Sequence, residues 1–170
     1  VYLGITGGLT DRIFGDPRID TWSGDWWWIP FIAAGGLVAA AVRSLLKISD
    51  HVPGGVAVIE SGAVDHKVAP SWILLAAVSA IAGASLGPSF ALVMIGGGLG
   101  SWIASKRWPG NETARLDTTM AGISGGFGGA FTSPGLGTLI VSELAPTPKD
   151  RNMESILPQL IAATVAFAVF

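Results

Sequence analysis

Three long stretches without a charged residue most constrain the fold of this chain. No Asp, Glu, Lys or Arg occurs between Lys67 and Lys106, between Asp117 and Glu143, or after Glu154. Such stretches are typical of membrane spans, because about 20 apolar residues cross the hydrocarbon core of a bilayer. Only 13% of the 170 residues are charged, about half the roughly 25% found in soluble domains. The sequence therefore predicts an integral membrane protein.

Proline and glycine interrupt two of these stretches. Residues 68–105 would form a helix about 57 Å long, nearly twice the roughly 30 Å core of a bilayer. We expect two helices with a break within about two residues of Gly87, because Pro88 lacks an amide hydrogen and disfavours helix at the residue before it. The Thr-Ser-Pro-Gly sequence at 132–135 predicts a second break. Together with an apolar span over residues 26–46, the predicted fold is all-α, with tilted and broken transmembrane helices.

Pairs of glycines four residues apart recur along the chain. This spacing places two residues without side chains on one face of a helix, so that two helix backbones can approach closely in lipid. We interpret these pairs as helix-packing positions: Gly83 and Gly87, Gly96 and Gly100, Gly122 and Gly126, and Gly125 and Gly129.

Other classes of function lack their sequence signals. The net charge of −2 and the pI near 5.5 give no basic face for nucleic-acid phosphates. No stretch matches a dinucleotide or nucleotide phosphate-binding loop, and His51 and His66 have no zinc-binding spacing. The chain has no cysteine. We expect no enzymatic activity, no metal ion or cofactor, and no nucleic-acid partner.

Three helix starts are predicted where glycine and proline interrupt or precede an apolar run. They lie at residues 53–55, 87–89 and 133–135. A helix that begins inside the membrane directs unpaired amide hydrogens and the positive end of its dipole toward the protein interior, where an anion can accept them. This chemistry indicates either an anion-handling membrane protein or one with closely packed helices.

Two segments carry a resemblance to a known family. Residues 86–100, Leu-Gly-Pro-Ser-Phe-Ala-Leu-Val-Met-Ile-Gly-Gly-Gly-Leu-Gly, resemble in gapless register the L-G-R-E-G-P-T-V-Q-I-G-G-N-L-G stretch of the CLC family of chloride channels and transporters. Residues 130–137, Ala-Phe-Thr-Ser-Pro-Gly-Leu-Gly, resemble the family's A-F-N-A-P-L-A-G pattern, and Glu143 falls on the first acid of its E-E pair. Residues 53–57 occupy the place of G-S-G-I-P. The resemblance implies that residues 1–170 are the N-terminal half of a CLC-like membrane domain, the first of two inverted repeats.

The resemblance also implies an anion site and its chemistry. The expected anion-binding residues are Gly54, Gly55, Ser89 and Phe90, and we expect the amide ends at 54–55 and 89–90 to face one shared polar site. Ser89 occupies the position of the family's gating glutamate, and Leu144 that of the inner proton glutamate of exchangers. Because neither side chain carries a proton as a carboxylate does, passive conduction of chloride or a similar anion is favoured over proton-coupled exchange.

Alternatives stay open at each position. Ser89 could serve as a helix cap, residues 54–55 could form only a turn, and Glu143 is expected to be structural. The resemblance further implies multi-pass insertion in the lipid bilayer of a cell membrane and a homodimer, with residues 136–144 and 156–170 as candidate subunit contacts. The alternative function is a non-conducting structural or sensory membrane protein that retains a CLC-like helix scaffold.

Overall fold

The computed structural model describes residues 4–5, 8, 28–48, 55–62, 64–83, 89–145 and 153–169. The extended secondary-structure elements in these ranges are all α-helices, as predicted. They are α1 (Trp28–Leu45), α2 (Gly55–Ser61), α3 (Ala69–Ile81), α4 (Ser89–Arg107), α5 (Glu112–Ala130), α6 (Pro134–Leu144) and α7 (Met153–Val169).

The chain forms two compact units. The first comprises Val1–Asp50 and Ser71–Pro88, and the second comprises His51–Pro70 and Ser89–Phe170. Helix α1 and most of α3 therefore belong to the first unit, whereas α2 and α4 to α7 belong to the second.

In the first unit, Gly35 of α1 lies against Ala82, which follows α3. A Cβ atom on Gly35 would collide with the Ala82 side chain. At the C-terminal end of α1, the Ile48 amide donates a hydrogen bond to the Arg43 carbonyl oxygen, at a distance of 3.1 Å. Lys47, between them, has a left-handed φ of 49°, a geometry that terminates many helices.

The two helices predicted within residues 68–105 are confirmed, because α3 ends at Ile81 and α4 begins at Ser89. The predicted position of the break, within about two residues of Gly87, lies largely outside the described residues. Gly83, just after α3, has a left-handed φ of 88°, which glycine adopts without a steric penalty. The packing role predicted for Gly83 is therefore wrong, since this residue lies in an exposed turn. Gly87 lies outside the described residues.

In the second unit, α4 and α5 cross through their glycines, as predicted. Gly96 faces Gly122, and a Cβ atom on Gly96 would lie 2.7 Å from the carbonyl carbon of Gly122. Gly100 faces Thr118, and Gly126 faces Leu92. The two helices run antiparallel. Along α4, Leu92, Gly96 and Gly100 face in turn Gly126, Gly122 and Thr118 of α5.

Helix α5 is also the packing partner of α6 and α7. Gly128 lies against Ala163 of α7, and a Cβ atom on Gly137 of α6 would lie 2.7 Å from the carbonyl oxygen of Ser124. Ile123, near the middle of α5, is completely buried. The small residues of α5 thus permit close approach of three other helices.

The second predicted break is also confirmed. Helix α5 ends at Ala130, and Thr132 then adopts a left-handed φ of 51°. Ser133 caps α6 by accepting a hydrogen bond from the Leu136 amide, with Pro134 in the first turn. Proline suits this position because the first amides of a helix have no intrahelical partner. Helix α2 ends at Ser61, before Gly62, whose φ is 63°.

None of the helices within the described ranges combines the length and the apolar character that a complete membrane crossing requires. The helix expected within residues 26–46 is present as α1. Its assignment as a membrane span stays a prediction.

Candidate functional site

Two helix starts of the second unit lie next to each other. Helix α2 begins at Gly55 and α4 begins at Ser89. A Cβ atom on Gly55 would lie 3.8 Å from the Cα atom of Phe90 and 4.0 Å from its Cδ2 atom. The structure thus brings together Gly55 and Phe90, two of the four expected site residues. Gly54 lies outside the described residues.

The electrostatics of this junction favour a negative ligand. The first four amides of a helix have no intrahelical acceptor, and the helix dipole adds a partial positive charge there. Helix α4 has 19 residues and carries no acidic residue in its first turn, nor does α2 in its own. No side chain of either first turn therefore neutralises the positive end. The longer α4 supplies the greater part of this field, because α2 has only seven residues.

The spacing around Gly55 leaves room for more than hydrogen. A distance of 3.8 Å to Phe90 is an ordinary van der Waals contact, so packing against α4 does not require glycine at position 55. Glycine at this position also adds no side chain that could cover the backbone amides at the start of α2. Ser89 is exposed and Phe90 is half-buried, while residues 91–94 directly behind them are buried. The start of α4 is thereby held by a packed core.

Ser89 is the first residue of α4. Residues 84–88 lie outside the described residues, so the capping role of Ser89 stays a prediction. The Ser89 hydroxyl is placed at the surface of the junction, where it can donate a hydrogen bond.

Glu143 and Leu144 end α6, on a different element from the two helix starts. Glu143 is exposed and Leu144 is half-buried. The structural role of Glu143 stays a prediction, and the Leu144 side chain has no titratable group.

Sequence reasoning missed a set of buried polar groups. The Ser124 hydroxyl donates to Thr138 Oγ1 at 3.5 Å, and the Thr138 hydroxyl donates to the Pro134 carbonyl oxygen at 2.9 Å, so these groups link α5 to α6. Thr119 Oγ1 and Gln159 Oε1 are buried, and among the described residues neither has a hydrogen-bond partner. Polar residues inside otherwise apolar runs were the signal that could have identified them.

The described part of the chain contains no cluster of three or more His, Cys, Asp or Glu side chains that could hold a metal ion. The Nδ1 atom of His66 lies 3.9 Å from Asp65 Oδ1, within the turn that precedes α3. His51 lies outside the described residues.

Interrupted helices, glycine-mediated crossings and adjoining helix starts define an all-helical protein with a candidate site at two helix N-termini. The family model for the voltage gated chloride channel matches residues 56–170, more than half of the chain. The chain belongs to this family, the CLC family, whose members are membrane proteins that transport chloride and other anions. No curated protein and no solved structure matches the chain. The matched range includes Ser89, Phe90, Glu143 and Leu144, and begins one residue after Gly55.

Proposed function

We propose that this protein conducts chloride or a similar small anion passively across a cell membrane, with residues 1–170 as the N-terminal half of its conducting domain. The observation that carries the proposal is the proximity of Gly55 and Phe90, at the starts of two helices whose first turns contain no acid. Family membership supplies the substrate class.

In the proposed site, backbone amides bind the anion. Gly54 and Gly55 provide amides without a covering side chain, and the start of α4 at Ser89 and Phe90 provides the amides of a 19-residue helix. Amide hydrogens that lack an intrahelical acceptor exchange their water partners for the anion, and each such hydrogen bond to a charged partner adds a modest net stabilisation. The Ser89 hydroxyl adds one further donor.

Passive conduction follows from the side chains at the two positions that resemble the family's proton-carrying glutamates. Ser89 and Leu144 provide no carboxylate to shuttle a proton. Chloride flux should therefore run without stoichiometric proton movement.

The proposal is tested with the full-length protein reconstituted in liposomes. We expect radiotracer chloride uptake that protein-free liposomes lack. A pH electrode is used while a chloride gradient runs down, and we expect no proton movement against the proton gradient. Uphill proton transport coupled to chloride would contradict passive conduction, even if chloride uptake is present.

The second candidate function is a non-conducting scaffold of the CLC type. Ser89 and Leu144 stand where the resemblance places glutamates, and Gly54 stands where the family's G-S-G-I-P pattern has serine. These replacements favour the scaffold, since each removes a polar group that the resemblance assigns to ion handling. Absence of chloride uptake by correctly folded, full-length protein would favour this alternative.

The exposed apolar side chains of α6 and α7 support the proposed membrane setting and the proposed homodimer. Leu139 of α6 is 62% exposed and Ile161 of α7 is 55% exposed. Apolar side chains with this exposure fit either lipid or a second copy of the chain. We assign the α6 and α7 surface to the subunit contact.

A further inference from the structure

A pocket in the first unit is separate from the proposed anion site. It has a volume of about 560 Å³ and lies between α1 and α3. This volume is in the range of small-ligand sites, about 300–1,000 Å³. Its polar lining consists of Arg43, Ser44, Lys47 and Ser79.

The described part of the lining favours a negatively charged ligand. Of the described residues that line the pocket, two are basic, two carry hydroxyl groups and none is acidic. A guanidinium matches the geometry of phosphate oxygens, and an ammonium adds a compact charge with three donors. Ile48 and Leu75 line the same pocket, so it also offers apolar contact to the carbon part of a ligand.

Lys47 directly follows the end of α1. It adopts a φ of 49° at the position after a helix where glycine is the usual residue. The negative end of the α1 dipole favours a cation near this point, and Lys47 lines the pocket there together with Arg43.

We propose that this pocket binds the phosphate group of an anionic ligand, with Arg43 and Lys47 as the charged contacts and Ser44 and Ser79 as hydroxyl donors. Phosphate of this kind occurs in the headgroup of an anionic phospholipid and in free phosphate. The apolar side of the pocket, together with exposed apolar residues on α1 such as Leu37 and Leu45, gives a lipid chain a surface to contact.

The test uses full-length protein in neutral detergent and measures its unfolding temperature during titration. The probes are a short-chain phosphatidylglycerol, the matching phosphatidylcholine and inorganic phosphate. A ligand that binds the folded state raises the unfolding temperature with concentration. We expect stabilisation by phosphatidylglycerol or by inorganic phosphate, and these two results distinguish a lipid source from a free-phosphate source. Equal stabilisation by phosphatidylcholine, or none by any probe, overturns the proposal.

Two variants at Lys47 separate binding from folding. Lys47→Gln removes the charge, and Lys47→Gly also suits the left-handed backbone, so its unfolding temperature without ligand should not fall. We expect both to weaken binding about tenfold or more, as the loss of a charge-assisted hydrogen bond does. The matched control is Lys106→Gln, which removes an exposed lysine from the last turn of α4. If that control weakens binding as much as the Lys47 variants, general surface charge is responsible and the proposed site is wrong.

Discussion

Gly55 and Gly96 are the same residue type in two helices of one unit, but the structure requires glycine only at one of them. A Cβ atom on Gly96 would overlap the backbone of Gly122, whereas one on Gly55 would lie 3.8 Å from the nearest atom of Phe90. Close packing explains Gly96. At position 55, packing against Phe90 does not require glycine, and the proposed function assigns this glycine to access to the backbone amides.

We therefore expect Gly55→Ala to fold normally but to conduct poorly. The added methyl group fits beside Phe90 but covers amides at the start of α2. The free energy of unfolding should change by less than about 1 kcal/mol, while liposome chloride flux falls. Gly36→Ala in α1 is the matched control, because a Cβ atom there meets no atom within 4 Å and Gly36 is not among the proposed site residues. Flux that is equal in both variants would remove Gly55 from the anion site.

Ser89→Glu should make chloride flux sensitive to pH. At neutral pH the new carboxylate accepts hydrogen bonds from the amides at the start of α4 and competes with the anion. Flux should fall about tenfold or more, since a carboxyl with a pKa near 4.3 is almost fully ionised at neutral pH.

Acidification protonates this carboxyl and should restore the flux. Because amide hydrogen bonds and the positive helix end stabilise the ionised form, they lower the pKa of the new carboxyl, so recovery requires a pH below about 4.3. Ser89→Gln has a similar volume without the charge and should show no such recovery. If flux through Ser89→Glu is unchanged and independent of pH, the anion path lies elsewhere.

At the scale of the helices, the crossing of α4 and α5 shows what spacing can and cannot predict. The four-residue spacing predicted that Gly96, Gly100, Gly122 and Gly126 are packing positions, which the structure confirms. It did not predict which glycine faces which, because the register of a crossing depends on both helices at once. It also could not distinguish Gly83, which has the same spacing but a left-handed backbone.

Helix boundaries were predictable where proline chemistry determines them. Pro134 follows a capping serine, and α6 begins where expected. The end of α3 was not predictable in this way, because the left-handed Gly83 follows the helix end several residues before Pro88. Residues that can adopt a left-handed conformation end helices without any spacing signal.

Gly96→Ala should destabilise the second unit by about 1–3 kcal/mol or more, as overpacking of a closely packed interface does. The added Cβ atom meets backbone atoms of Gly122, which cannot rotate away as a flexible side chain can. The change is measured by unfolding the protein in detergent with heat or denaturant. In Gly36→Ala the Cβ atom meets no atom within 4 Å, so this helical control should be neutral or slightly stabilising. Equal stability of Gly96→Ala and the control would show that the crossing is looser than described.

At the scale of the whole molecule, the sequence predicted the helices better than their grouping. Stretches without charge mark apolar helices, but they carry no signal of which helices pack together, and the division into two units was not predicted. The contact between Gly55 and Phe90 joins residues far apart in the chain. We expected it only because two positive helix ends at the same membrane depth can bind one anion together. That argument does not predict the distance between the two residues.

The proposed homodimer predicts contact between copies through α6 and α7. In the full-length protein, with any other cysteine replaced, single substitutions Leu139→Cys and Ile161→Cys would place thiols on that surface. The 170 residues contain no cysteine, so each introduced thiol reports on one position. We expect a short thiol-reactive cross-linker to join two copies at one or both positions, because in a two-fold symmetric interface a surface patch faces the same patch, or an adjacent one, on the other copy.

Leu99→Cys on α4 is the matched control, since Leu99 is 56% exposed, close to the 55% of Ile161, and lies outside the proposed contact. Cross-linking only through Leu99 would place the subunit contact on α4, and no cross-linking at any position would argue against the dimer.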